Sequence, residues 1–167
     1  MFKRFYPTEY LNSVYDIDFK ELYNSGIRGI ISDIDNTLVP HGAPATDEIV
    51  DLFKEIHSIG IYTCLISNNK EPRVAPFAKA VKSKYVFNAH KPSRTNYVKA
   101  MELMGTTPES TLFLGDQVFT DVWGANRTGI KSYMLKPIDK KEEIQIILKR
   151  IPEKFIMWRW KKLKSKK

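Results

Sequence analysis

Residues 27–37 read Ile27-Arg28-Gly29-Ile30-Ile31-Ser32-Asp33-Ile34-Asp35-Asn36-Thr37. Ile27–Ile34 is apolar on both faces, as a strand buried in the middle of a parallel sheet must be. It ends abruptly in polar residues, two of them carboxylates. The downstream sequence repeats the rhythm. Thr46–Ile59 reads as a helix: Thr46 caps it, Asp47 and Glu48 occupy the first turn, and Ile49, Leu52, Phe53 and Ile56 form one apolar stripe before Gly60. Ile61–Ile66 is a second buried strand. A helix over Pro72–Val81, a short strand Tyr85–Phe87 and a helix Pro92–Met104 follow, the last opened by proline and closed by Gly105. Thr111–Leu114 and Ile130–Leu135 are further strands on either side of a helical Val118–Arg127. Lys141–Arg150 closes the body as a helix. This alternation predicts an α/β fold with a mainly parallel, five-stranded sheet and helices on both faces. Ligands of such sheets bind beyond the carboxyl ends of the strands.

The length of 167 residues suits one domain, and 43% apolar with 12% aromatic residues argues for a packed body. We expect a single domain over 1–150, with its core in 27–135, and a basic, aromatic tail over 151–167. The formal charge is +8, and residues 149–167 alone account for it, with nine basic side chains and one acid, leaving the rest neutral. A lone cysteine, Cys64, excludes an internal disulfide and a cysteine-rich zinc site. No apolar run suits a membrane span and no secretory signal is visible. The expectation is a cytoplasmic protein, with peripheral contact at the inner membrane face open to it.

Four polar clusters fall at strand ends: Asp33–Thr37, Ser67–Asn69, His90–Lys91 and Gly115–Asp121. Asp33 and Asp35, two apart on extended backbone, point to one side and repel unless a cation intervenes. Such a pair can divide into a nucleophile and an acid. An EF-hand is excluded, because its sixth and twelfth positions would be Leu38 and Pro44. Ser67 and Asn68, at a helix entrance, suit phosphate oxygens. Lys91 adds a positive charge, and Asp116 and Asp121 suit Mg²⁺. Each cluster alone reads as a cap, a turn or solvated surface. Together at successive strand ends they read as a phosphoryl-transfer site with a covalent aspartyl-phosphate. Neither G-x-x-x-x-G-K-[ST] nor G-x-G-x-x-G is present.

With Asp33-Ile34-Asp35-Asn36-Thr37, Ser67 after its apolar strand, Lys91, and Gly115-Asp116-Gln117 with Thr120-Asp121, the sequence resembles the haloacid dehalogenase (HAD) superfamily. The resemblance spans 27–135 and implies a Rossmannoid three-layer sandwich. It implies that Asp33 is the nucleophile and Asp35 the acid and base. Mg²⁺ would be held by Asp33, the backbone carbonyl of Asp35, and Asp116. Ser67, Asn68 and Lys91 would bind the phosphoryl group, with Thr37 and Asp121 in support. Only 34 positions separate Asp33 from Ser67 and 24 separate Ser67 from Lys91, so no large cap domain fits and the site should be open. The finer resemblance is to subfamily IIIA, to a bacterial group related to mitochondrial-type phosphatidylglycerophosphatases. Three functions follow as expectations: a Mg²⁺-dependent phosphomonoesterase acting on phosphatidylglycerophosphate; a soluble phosphatase for a sugar phosphate or nucleotide; and a non-enzymatic RNA- or ribosome-binding protein on the same fold. Residues 152–167, with Phe155, Trp158 and Trp160 among lysines and arginines, could contact an anionic membrane. The oligomeric state is left open.

Overall fold

The computed structural model describes residues 2–139 and 144–166. The strands are β1 (Glu9–Leu11), β2 (Gly29–Ser32), β3 (Tyr62–Ile66), β4 (Lys84–Val86), β5 (Thr111–Gly115) and β6 (Lys131–Leu135). The helices are α1 (Phe19–Asn24), α2 (Asp47–Ile59), α3 (Glu71–Ala80), α4 (Arg94–Met104), α5 (Trp123–Arg127) and α6 (Ile144–Lys164). The sheet runs β1-β6-β5-β2-β3-β4, and every pairing is parallel. The α/β architecture is therefore as expected, with six strands instead of five. The strand missed is β1, a three-residue, half-buried edge strand with no apolar run to announce it. It pairs with β6 through Glu9–Leu11 opposite Tyr133–Leu135.

Alternation within the strands sorts the core into two layers. Ile30, Leu65, Leu112 and Leu114 pack with Phe19, Ile49, Phe53 and Phe77 of α1, α2 and α3. Ile31, Cys64, Ile66 and Phe113 face the other way, onto Tyr97, Ala100 and Met101 of α4 and Ala125 of α5. Helices thus cover both faces, as the fully buried β2 and β5 require. The chain moves outward from β2 to β3 and β4, then crosses back through α4 to β5 on β2's other side. This reversal leaves a crevice between the ends of β2 and β5.

The last helix departs from expectation. The expected start at Lys141 lies outside the described residues, and the expected boundary at 150/151 falls inside α6. Pro152 removes one helical hydrogen bond but does not end the helix. Burial explains its continuation. Ile156 and Met157 pack with Val118, Val122 and Met134, against which Phe2, Phe5 and Trp160 also lie. The segment 151–164 is therefore docked, not a detached tail. No described helix is long and apolar enough to cross a membrane.

The second layer depends on close backbone approach at Gly124. A Cβ there would stand 2.2 Å from the hydroxyl of Tyr97, a ring with no solvent exposure. Gly124→Ala would gain up to about 1 kcal/mol in helix propensity, but overpacking costs about 1–3 kcal/mol where neighbours cannot yield. We expect a net loss of stability, read as a lowered urea midpoint at unchanged m-value. Cys64, with no exposure and its thiol pushed up to about 12 mainly by burial, should resist thiol reagents until the chain unfolds.

Candidate active site

All four polar clusters converge on the crevice. Asp33 follows β2, and its N–H donates to Leu114 of β5 at 2.9 Å. Lys91 lies beyond β4. Its buried ammonium stands 2.9 Å from Asp33 Oδ1 and 2.7 Å from Asp121 Oδ1. The other oxygen of Asp121 accepts from the N–H groups of Asp116 and Gln117, both at 3.1 Å. Asp121 therefore holds Lys91 with one oxygen and shapes the β5 loop with the other. Its position comes from a turn of π-helix, Val118–Val122, that leads into α5. Gly115 makes this possible, since a Cβ there would lie 2.5 Å from Asp121 Oδ2.

Asp33, Asp116 and Asp121 are buried and can bring one oxygen each within 4.8 Å of one another. Thr37 donates to Asp116 Oδ1 at 3.2 Å. Burial first, then Asp121, pushes the Asp116 carboxyl up to about 8, against the pull of Arg150. Burial also raises Asp33 to about 6, although Lys91 opposes it. For Lys91, burial disfavours the charge, but Asp121 and Asp33 outweigh it and its pKa rises above the ordinary lysine value. Three carboxylates thus share two cationic side chains. An acid-rich, buried oxygen cluster under mutual repulsion fits a divalent cation, which would relieve the repulsion.

Asp35 points elsewhere. Its carboxylate accepts from Gly42 N–H at 2.7 Å, from Asn69 Nδ2 at 2.8 Å, and pairs with Arg73 at 2.8 Å. Burial would raise its pKa, but the bonds from Arg73 and Gly42 prevail and hold it below the ordinary carboxyl value. Asp35 is thus an ionised group at the site's edge, outside the acidic cluster. Ser67 is buried, and its Oγ accepts from Asn69 N–H at 3.1 Å, which leaves its own proton to donate. Asn68 Oδ1 accepts from Lys91 N–H at 2.8 Å, so this residue positions the lysine backbone. His90, with a positive φ of 48°, shapes the same junction. Asn36, at φ 62°, accepts through its backbone carbonyl from Ile138 N–H and through its side chain from Asp139 N–H at 3.2 Å. It ties the β2 loop to the segment after β6.

Three participants escape a linear reading. Arg73 of α3 holds Asp35. Arg150 of α6 reaches Asp116 twice, at 2.6 Å to Oδ2 and 2.8 Å to the carbonyl oxygen. Glu153 accepts from Arg150 at 2.9 Å and from Val118 N–H at 2.8 Å, closing the link between α6 and the β5 loop. Arg150 sits in a basic run where nothing local distinguishes it from Lys149. Only the turn spacing of Arg150 and Glu153, three apart on one helix face, marks them as a pair.

Comparison with known proteins gives the family and the fold. Residues 40–129 match the family of haloacid dehalogenase-like hydrolases, a span that contains Ser67, Lys91, Asp116 and Asp121 and begins after Asp35. The chain is 34% identical over 140 residues to the "Probable phosphatase YqeG" of Bacillus subtilis (strain 168), covering 83% of this chain and 81% of that one. Among solved structures, the cobalt-bound deoxy-D-mannose-octulosonate 8-phosphate phosphatase (YrbI) from Haemophilus influenzae aligns with a TM-score of 0.54 at 15% identity, over 66% of this chain and 69% of that one. An uncharacterized protein from Corynebacterium glutamicum ATCC 13032 aligns with a TM-score of 0.54 at 18% identity, over 75% and 93% of the two chains. At these identities the structural likeness is one of fold.

The Arg150–Asp116 pair yields a test. Arg150 faces both Asp116 and Glu153, and breaking such a buried pair typically destabilises by about 3–5 kcal/mol when the remaining carboxylate is ionised. At about pH 9, above the range in which Asp116 keeps its proton, Arg150→Ala should lower the melting temperature sharply in chelator. A saturating divalent cation should recover much of the loss, because it restores the positive charge removed with Arg150. Gly115→Ala should displace Asp121, and with it Lys91, and so reduce turnover while the far-UV circular dichroism spectrum stays unchanged.

Proposed function

The chain belongs to the haloacid dehalogenase-like hydrolases, and on that footing we propose that it is a phosphomonoesterase that works through an aspartyl-phosphate on Asp33. The carrying observation is the Asp33–Lys91–Asp121 chain of contacts, buried at the sheet's switch point. Lys91 keeps Asp33 oriented and offsets the repulsion between a carboxylate nucleophile and an anionic ester. In the first step an Asp33 oxygen bonds to phosphorus while the ester P–O bond breaks, and the leaving oxygen takes a proton from Asp35. In the second, water attacks phosphorus, Asp35 takes the proton, and the Asp33–phosphorus bond breaks to release phosphate.

Asp35 is held ionised by Arg73, the form required to accept a proton from water. Donation in the first step requires that it be protonated, so Arg73 must loosen its hold. An arriving phosphoryl group, anionic itself, competes for the same guanidinium. Ser67 and the β3 loop supply donors to phosphoryl oxygens. Asp33 and Asp116, with the backbone carbonyl of Asp35, would hold Mg²⁺, with Thr37 steadying Asp116. The ion would neutralise phosphoryl charge and line the ester up with the nucleophile.

For the substrate we propose a phosphomonoester carried on a lipid, phosphatidylglycerophosphate. Support comes from the resemblance at residues 29–39, 67–69, 89–92 and 115–121 and from the absence of a large cap. Purified protein in Mg²⁺, assayed against this lipid in detergent micelles and against soluble sugar phosphates and nucleotides, should favour the lipid in kcat/KM. Preference for a soluble ester by orders of magnitude overturns the assignment and leaves a metabolite phosphatase. Asp33→Asn should lower turnover by more than about 10⁴-fold with the fold retained. Mg²⁺ should raise the melting temperature of the wild type and not of Asp116→Asn. Because Asp116 in the cation-free site holds its proton up to about pH 8, the metal competes with that proton. The rise should therefore be larger at pH 8 than at pH 6.

A further inference from the structure

The buried side of α6 accounts for Glu153, Ile156 and Met157, yet its opposite side is also apolar. Ile147, Leu148, Ile151, Phe155 and Trp158 are all exposed, Leu148 at 64% and Ile151 at 70%. Leu148, Ile151, Phe155 and Trp158 recur at i, i+3, i+7 and i+10, which places them on one face. The stripe from Ile147 to Trp158 is about 17 Å long at the helical rise. Phe155 is stacked on Trp158 and meets Phe2 edge-on, so the aromatic part is preassembled. An exposed apolar strip of this size calls for an occupant.

Cations surround it. Lys154, Arg159, Lys161 and Lys162 are exposed on the same helix. Lys162 lies over the Trp158 ring and Arg159 over the Phe2 ring, each at 5.2 Å. The one acid among the described residues of α6, Glu153, is turned inward onto Arg150 and Val118. Among the described residues of α6, the outer face is thus apolar at its centre, basic at its margins and free of acid. We infer that this face of α6 docks on an anionic lipid bilayer, lying in the interface with the stripe inserted among headgroups and the lysines and arginines on lipid phosphates.

Two other occupants fit less well. A second copy packed face to face would set one basic face against another with no described acid of α6 to offset it, since a two-fold contact uses the same patch on both subunits. Nucleic acid would use the cations and could stack on Trp158, but it offers nothing to Ile147, Leu148 and Ile151. The position of the stripe also favours a bilayer. Ile147 and Trp158 border an open groove of about 800 Å³ that is also lined by Met134, Ile138 and Arg150. Arg150 in turn bonds Asp116. A bilayer on this face would therefore lie beside the catalytic crevice. Binding itself does not depend on the phosphatase reading and is measured without turnover.

Vesicle flotation of the full chain decides the matter, with phosphatidylcholine vesicles containing or lacking phosphatidylglycerol. The wild type should float with anionic vesicles and far less with neutral ones, and added salt should weaken the association. Leu148→Gln with Ile151→Gln removes exposed side chains only, so melting should be unchanged while the partition coefficient falls at least about tenfold. Lys154→Gln with Lys162→Gln should reduce the preference for anionic over neutral vesicles at least about tenfold. Absence of wild-type flotation overturns the inference, as does equal flotation of wild type and Leu148→Gln/Ile151→Gln. So does a wild type that is dimeric by light scattering and becomes monomeric in that variant. Salt-sensitive RNA binding without vesicle binding would assign the face to nucleic acid instead.

Discussion

A single buried ammonium organises the centre of this protein. Lys91 lies between Asp33 and Asp121 and brings a positive charge within hydrogen-bond distance of both buried side chains. Taking such charges out of water costs several kcal/mol each. The cluster therefore persists only because each member has a partner at hydrogen-bond distance. Asp121 secures the backbone of Asp116 and Gln117, Thr37 and Arg150 hold Asp116, and Asn68 fixes the backbone of Lys91. The excess of acid over base that remains fits the cluster to a divalent cation. The parallel sheet matters because its reversal of direction at β2 brings the ends of β2 and β5 together and leaves them open.

The basic C-terminal stretch acquires a different meaning once it is seen as α6. Its charge does not trail away from a neutral body. One face of the helix carries Ile156 and Met157 into a small satellite core, and Arg150 and Glu153 carry a polar link from the helix to the β5 loop. Part of the positive charge therefore lies at the acidic cluster. Arg150 neutralises a carboxylate of the acidic cluster, while Lys154, Arg159, Lys161 and Lys162 face outward. One helix thus touches both Asp116 of the acidic cluster and the outer surface.

The sheet and the acidic cluster were legible in the sequence for a physical reason. Buried parallel strands are continuous apolar runs, and Asp33, Ser67 and Asp116 stand immediately after them, whereas Lys91 lies five residues beyond β4 and gains weight only as one of the set. The edge strand β1 was not legible because one side of it faces solvent and three residues carry no period. Arg73 and Arg150 were not legible because their partners lie 38 and 34 residues away, a separation that only the folded chain resolves. Asp35 was found, but its direction was not, since its orientation depends on Arg73 and Asn69. At the C-terminal end, a basic, aromatic composition suggested a tail beyond residue 150. The packing of Ile156 and Met157 against Val118 and Val122 overrode it.

Passage of phosphoryl groups through Asp33 is tested most directly by acid-quenching the protein during turnover, reducing with borohydride, and sequencing the peptides by mass spectrometry. Borohydride converts an acyl phosphate on aspartate to homoserine. Homoserine is expected at position 33, dependent on substrate and absent when the substrate is omitted. Phosphate release with an unmodified Asp33, or with homoserine at another aspartate, would contradict it.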